Sequence, residues 1–113
     1  MTVPLGPLPG TLELLILKTL GAGSEMHGFA ILEWILQSTG EQLLVEDGAL
    51  YHALHRMEAR GWLESDWGIS EKGCKAKYYR LSAKGTRALA TEERQWARYV
   101  EAVAKITPRA SES

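Results

Sequence analysis

The stretch Glu46-Asp47-Gly48-Ala49-Leu50-Tyr51-His52-Ala53-Leu54-His55-Arg56-Met57-Glu58-Ala59-Arg60-Gly61 decides the fold. Leu50, Leu54 and Met57, with Ala53 beside them, recur at helical spacing and make one apolar stripe. Glu46 or Asp47 opens the helix, because carboxylates are favoured at the positive end of the helix dipole, and Gly61 stops it. At about 100° per residue, His52, His55 and Ala59 point away from that stripe, with Tyr51 and Arg56 on its flanks. Such a helix packs its apolar side across other elements and leaves a sparse, mildly basic side free.

Downstream, the periodicity shortens. Trp62 to Trp67 and Ala76 to Leu81 have strand-like composition, and the glycine-containing run from Gly68 to Lys75 joins them. This predicts a β-hairpin with a basic tip, carrying Lys72, Lys75 and Lys77. Ser82 is a good N-cap for a last helix from Ala83 to Ile106. Leu89, Trp96, Tyr99, Val100, Val103 and Ile106 approximate a heptad stripe along it, and Pro108 ends it ahead of a tail from Arg109 to Ser113.

Upstream, a helix is expected from about His27 to Ser38, with Ile31, Trp34 and Ile35 as its stripe, Leu32 and Leu36 widening it, and Gly40 ending it. Before it, Thr11 reads as the N-cap of a helix whose stripe is Leu12, Leu15, Ile16 and Leu20, stopped by Gly21 or Gly23. Met1 to Pro9 holds three prolines and reads as an extended arm.

Three helices followed by a hairpin is the order of a winged helix-turn-helix. The expected class is α+β, mainly α, with a C-terminal dimerisation helix. The expected division is residues 1–10 as arm, 11–82 as winged helix, 83–107 as dimerisation helix and 108–113 as tail. In this fold the third helix protrudes at a size that enters a DNA major groove, while the hairpin carries bases to flanking phosphates.

Composition narrows the function classes. A chain of 113 residues suits one domain. Its single cysteine, Cys74, allows no internal disulfide, which points to a reducing compartment and a cytoplasmic location. The apolar run from Leu12 to Leu20 is interrupted by Glu13 and Lys18, too short and too charged to span a membrane, and no basic residue precedes it as in a secretory signal. The net charge of −1 conceals a gradient. Residues 1–51 hold one base and six acids, whereas residues 52–87 hold eight bases and four acids. A local basic region of that kind steers a polyanion. His52, His55 and Glu58 are near one another on a helix, but they lack the further ligands of a metal site. No phosphate-binding glycine loop, nucleophile elbow or paired-carboxylate motif appears, so neither an enzyme nor a cofactor is expected.

At the level of residues, the chain resembles the PadR family of transcriptional regulators. The resemblance is carried by Gly10-Thr11-Leu12-Glu13-Leu14-Leu15-Ile16-Leu17, by Met26-His27-Gly28-Phe29 with Ile31, by Glu46 through Trp62, and by Ala76-Lys77-Tyr78-Tyr79-Arg80-Leu81-Ser82 with Gly85. These segments fall in family order and spacing over roughly residues 10–90. Departures are Ala49, where the family often has Ser or Thr, His52, where many relatives have Pro, and a wing tip, Lys72-Gly73-Cys74-Lys75, with fewer arginines than many relatives. The single C-terminal helix is that of the family's short branch.

The resemblance implies a sequence-specific DNA-binding repressor that acts as a homodimer and is released by a small aromatic effector. Tyr51, His52, His55, Arg56, Lys72, Lys75 and Lys77 are the expected contacts to double-stranded DNA. Trp96, Tyr99, Val100 and Val103 are the expected dimer and effector surface, since in drug-binding relatives a tryptophan of the last helix lines a pore at the dimer centre. Trp96 as a plain interface anchor is the competing reading of that residue. A winged-helix protein-interaction module without DNA binding is the alternative for the whole chain, and a small-molecule sequestering protein is a third. His27, at a helix start, is expected to be structural.

Overall fold

The computed structural model describes residues 3–22 and 24–108. The elements run α1 (Leu12–Gly21), β1 (Met26–His27), α2 (Gly28–Ser38), α3 (Asp47–Ala59), β2 (Leu63–Ile69), β3 (Lys75–Leu81) and α4 (Ala83–Ala104). Gly23, one of the two expected stops of the first helix, and the tail from Arg109 lie outside the described residues.

α1 is the hub of the fold and packs against α2, α3, α4 and β3. That surrounding explains why its buried side is wider than the stripe Leu12, Leu15, Ile16 and Leu20. Leu14, Ile16, Leu17, Thr19 and Leu20 are buried, while Leu12 and Leu15 are only half-buried. Thr11 is not the side-chain cap expected of it. Leu8-Pro9-Gly10-Thr11 makes a turn with Gly10 at a φ of +83°, and both the amide and the hydroxyl of Thr11 donate to the Leu8 carbonyl. The hydroxyl is thereby committed backwards, away from the helix. The arm before it is tied down, because Leu5 forms a parallel bridge with Leu43.

The cap that does form on α2 is His27. Its Nδ1 accepts from the Ala30 amide at 3.1 Å, so His27 precedes the helix rather than beginning it. Ile31 and Ile35 enter the core, but Trp34 is 50% exposed. The wheel shows why: at about 100° per residue, Trp34 falls some 80° off the line set by Ile31 and Ile35.

α3 buries the stripe read from its sequence, with Leu50, Ala53, Leu54 and Met57 inaccessible to solvent. Each such Leu or Met contributes roughly 1.5–3 kcal/mol through burial. Gly61, at a φ of +81°, closes the helix with its amide on the Glu58 carbonyl, and the Trp62 amide reaches back to Met57. This double closure satisfies two of the orphan carbonyls at the helix end.

The sheet has three strands, ordered β1-β3-β2 and antiparallel throughout, where the sequence pointed to a two-stranded hairpin. Two residues, Met26 and His27, pair with Tyr79 and Tyr78 to make the third strand. A strand that short leaves no periodicity to read. The hairpin also extends further than expected, to Ile69 on one side and Lys75 on the other, and closes through Ser70 and Cys74 with Gly73 at a φ of +80°.

Ser82 caps α4 as anticipated, its Oγ accepting from the Gly85 amide at 3.0 Å. α4 ends at Ala104, two residues short of Ile106. Its first half is docked: Leu89 closes over Gly21, and Lys18 donates to Glu93 at 2.9 Å. Beyond Glu93 the helix leaves the body, which gives the molecule extents of 60 × 36 × 21 Å. No helix among the described residues is long and apolar enough to cross a membrane.

Candidate nucleic-acid interface

The outer side of α3 is free. His52, His55 and Ala59 form its exposed crest, Tyr51 lies on the flank facing the hairpin, and Arg56 on the flank facing α1. Tyr51 is held in place by packing. Its phenol ring covers Gly28 at the start of α2, closely enough that a β-carbon there would collide with it. The junction of β1 and α2, Met26-His27-Gly28, thus has two roles, capping α2 and seating the tyrosine.

Glu58 fastens the hairpin to α3. Ser65 Oγ donates to one carboxylate oxygen at 2.6 Å, and Lys77 Nζ donates to the other at 3.4 Å. The Ser65 hydrogen bond holds the Glu58 carboxyl below its ordinary value; burial opposes this, and Lys77 adds to it. Both oxygens of Glu58 are therefore engaged, and among the described residues no group of three or more His, Cys, Asp or Glu is placed to hold a metal. Lys77 is not at the hairpin tip with Lys72 and Lys75. It stands two residues in from the tip, opposite Trp67, half-buried, bonded to Glu58 and 5.8 Å over the Tyr79 ring.

The register of β2 on β3 sorts the charges between the two faces of the hairpin. Leu63, Ser65, Trp67 and Ile69 stand opposite Leu81, Tyr79, Lys77 and Lys75, and this face continues outward from the core beside α3. Alternate residues point to opposite faces. Glu64 and Asp66 therefore share the other face with Arg80, whose guanidinium bonds Asp66 at 2.7 Å, Glu25 at 3.0 Å and Glu64 at 3.3 Å. Its hydrogen bonds to Asp66 and then Glu25 raise the Arg80 pKa. Arg80 thus adds no free positive charge, whereas Lys72 and Lys75 are exposed at the tip.

Trp67 is the residue of this surface that sequence reasoning did not single out. It is 64% exposed, and Lys75 Nζ lies 5.2 Å over its ring. Alternation counted from the glycine turn would have placed it on the face of Lys77 and Lys75. Between α3, the start of α2 and the hairpin runs a groove of about 1060 Å³, walled by His27, Tyr51, His55, Trp67, Lys75 and Tyr78 among others. Tyr78, on the outer face, stacks edge-on against His27, whereas Tyr79 is core. A protruding helix beside a ribbon with lysines and an exposed indole suits a polyanion with flat bases.

Trp96, Tyr99, Val100 and Val103 lie apart from this surface, on the projecting half of α4. All four are exposed, and the Trp96 and Tyr99 rings stack at 6.2 Å.

Comparison with known proteins agrees with the geometry. A PadR family transcriptional regulator from Eggerthella lenta is 32% identical, with a TM-score of 0.72 over 85% of this chain and 80% of its own. A PadR-like regulator from Bacillus cereus is 26% identical, with a TM-score of 0.70 over 84% and 89%. A transcriptional regulator from Clostridium thermocellum shares the fold at a TM-score of 0.78 over 87% and 94%, with 24% identity. The model of the transcriptional regulator PadR-like family matches residues 16–91. The chain belongs to that family, and it is a DNA-binding transcriptional regulator with a winged-helix fold, not an enzyme.

Proposed function

We propose that this protein is a cytoplasmic repressor that binds operator DNA as a homodimer and is released by a planar aromatic effector. Residues 11–82 form the DNA-binding unit, residues 83–107 join the two subunits, residues 1–10 are an arm and residues 108–113 a tail. The observation that carries this reading is the free outer side of α3 beside the lysine-bearing face of the hairpin. α3 enters the major groove with Tyr51, His52 and His55, and Arg56 at its border meets backbone phosphate, as do Lys72 and Lys75 on the hairpin. Lys77 ties the middle of the hairpin to α3 through Glu58 and adds charge behind them.

One recognition helix reads too few base pairs for an operator. A two-fold pair reads two half-sites about 34 Å apart. The exposed stripe of Trp96, Tyr99, Val100 and Val103 supports α4 as the joining element. A flat ligand against the Trp96–Tyr99 pair would change the angle between subunits and with it the half-site spacing.

The test is an electrophoretic and fluorescence-anisotropy assay against the DNA upstream of the protein's own gene. Saturable binding that survives excess random duplex is the expected result. Failure to bind any duplex at low salt replaces this reading with that of a protein-interaction module. Binding of aromatic ligands without DNA affinity replaces it with a sequestering protein.

A further inference from the structure

Glu13, in the first turn of α1, holds two arginines, Arg56 in the last turn of the recognition helix and Arg60 at its C-cap. Arg56 Nε donates to its Oε2 at 3.2 Å, and Arg60 donates to its Oε1 at 2.6 Å. The Glu13 side chain is 21% exposed, against 52% for Arg56 and 45% for Arg60. The acid is thus the more fixed member, and the guanidinium groups fold back onto it along the α1 flank of α3. Arg60 is further steadied by lying 4.9 Å over the Trp62 ring.

One carboxylate facing two guanidinium groups leaves the cluster a single net positive charge. Arg56 is one helical turn from His52, at the border of the surface proposed to meet DNA. A guanidinium exchanges carboxylate for phosphate without changing geometry, because both present paired oxygens to its fork. Half-exposed ion pairs are weakly held, so that exchange is close to balanced.

We propose that Glu13 is a positioning residue that competes with DNA for Arg56 and Arg60. In the free protein it draws both arginines towards α1, and on binding they pass to backbone phosphates. This rests on the DNA reading above and adds a brake to it. The brake is also placed for control. α1 carries Glu13 at one end, and towards the other it is tied to α4 by Lys18–Glu93 and by Leu89 over Gly21. A shift of α4 that carries α1 with it therefore moves the competitor relative to the arginines.

The test is Glu13→Gln, which keeps the side-chain shape and removes the charge. Anisotropy is read with two labelled duplexes, the one upstream of the gene and a random sequence of equal length. Both affinities should rise by roughly three- to tenfold, the sum of two weak pairs released. The slope of log affinity against log salt should stay the same, because the same two arginines neutralise phosphates in both complexes. In an Arg56→Ala/Arg60→Ala background, Glu13→Gln should change affinity by less than about twofold, since its partners are gone. Glu13→Ala provides the same comparison if the glutamine variant loses its fold.

Unchanged or weakened binding by Glu13→Gln overturns the proposal. Equal tightening in the double-alanine background also overturns it, because Glu13 would then act on DNA at a distance rather than through the arginines. If wild type binds neither duplex, the DNA reading fails and takes this one with it. If wild type binds and Glu13→Gln is flat, only the brake fails.

Discussion

The phenol ring of Tyr51 in the recognition helix covers Gly28 at the start of the preceding helix, with no room for a β-carbon between them. Gly28→Ala must displace either the ring or the α2 start, and overpacking of this kind costs roughly 1–3 kcal/mol. Urea unfolding should show that loss, and DNA affinity should fall with it. Pairing Gly28→Ala with Tyr51→Ala should restore stability without restoring DNA binding. If the pair is as unstable as Gly28→Ala alone, the collision is not the cause.

Acid should loosen the hairpin from α3. Glu58 titrates below its ordinary 4.5 in the fold, chiefly through the Ser65 hydrogen bond. A carboxylate lowered by folding contributes stability that is complete above its unfolded value and drains away as pH falls through the folded one. Ser65→Ala should therefore cost about 1.5 kcal/mol at neutral pH, the low end for a hydrogen bond to a charged group that is partly exposed. The gap between wild type and variant should narrow below pH 4.5, where Glu58 takes up its proton. Unfolding curves at neutral and acidic pH decide this, and a gap that does not change with pH rules it out.

Lys75→Ala should weaken all DNA sequences by about the same factor, because a phosphate contact carries no base identity. The salt slope should become shallower by about 0.9. Preferential loss of the specific site would instead place Lys75 on a base edge.

Asp at both Val100 and Val103 should convert dimers to monomers in sedimentation, since an unpaired buried charge is costly. An unchanged sedimentation coefficient would move the subunit contact off this stretch of α4.

Planar aromatic compounds should quench tryptophan fluorescence, and Trp96→Ala should abolish the tight component. Trp34, Trp62 and Trp67 also contribute signal, so the comparison of wild type with variant is what decides. Identical titrations leave Trp96 as an interface residue.

Much of this molecule was legible in its amino-acid order. The four long helices, the hairpin and the buried stripe of α3 follow from periodicity, and periodicity is a local property. The outward position of His52 and His55 follows in the same way, because a helix with one apolar side has a determined opposite side. The Ser82 cap and the Gly61 stop are read from single residues whose backbone chemistry allows little else.

What tertiary structure alone decided is where charges end. The run from position 52 to 87 counts as strongly basic, yet Arg80 is spent on Asp66, Glu25 and Glu64, and Arg56 and Arg60 on Glu13. Glu13 lies more than forty positions away from both arginines. Strand β1, the seat of Tyr51 on Gly28 and the exposure of Trp34 share that character. Each depends on which element packs beside which, and a pairing between distant segments leaves no periodic trace in either. Composition and spacing determined that this chain is a winged helix with a basic region. The packing of α1 against α3, and the register of one strand on another, determined which of its bases remain free.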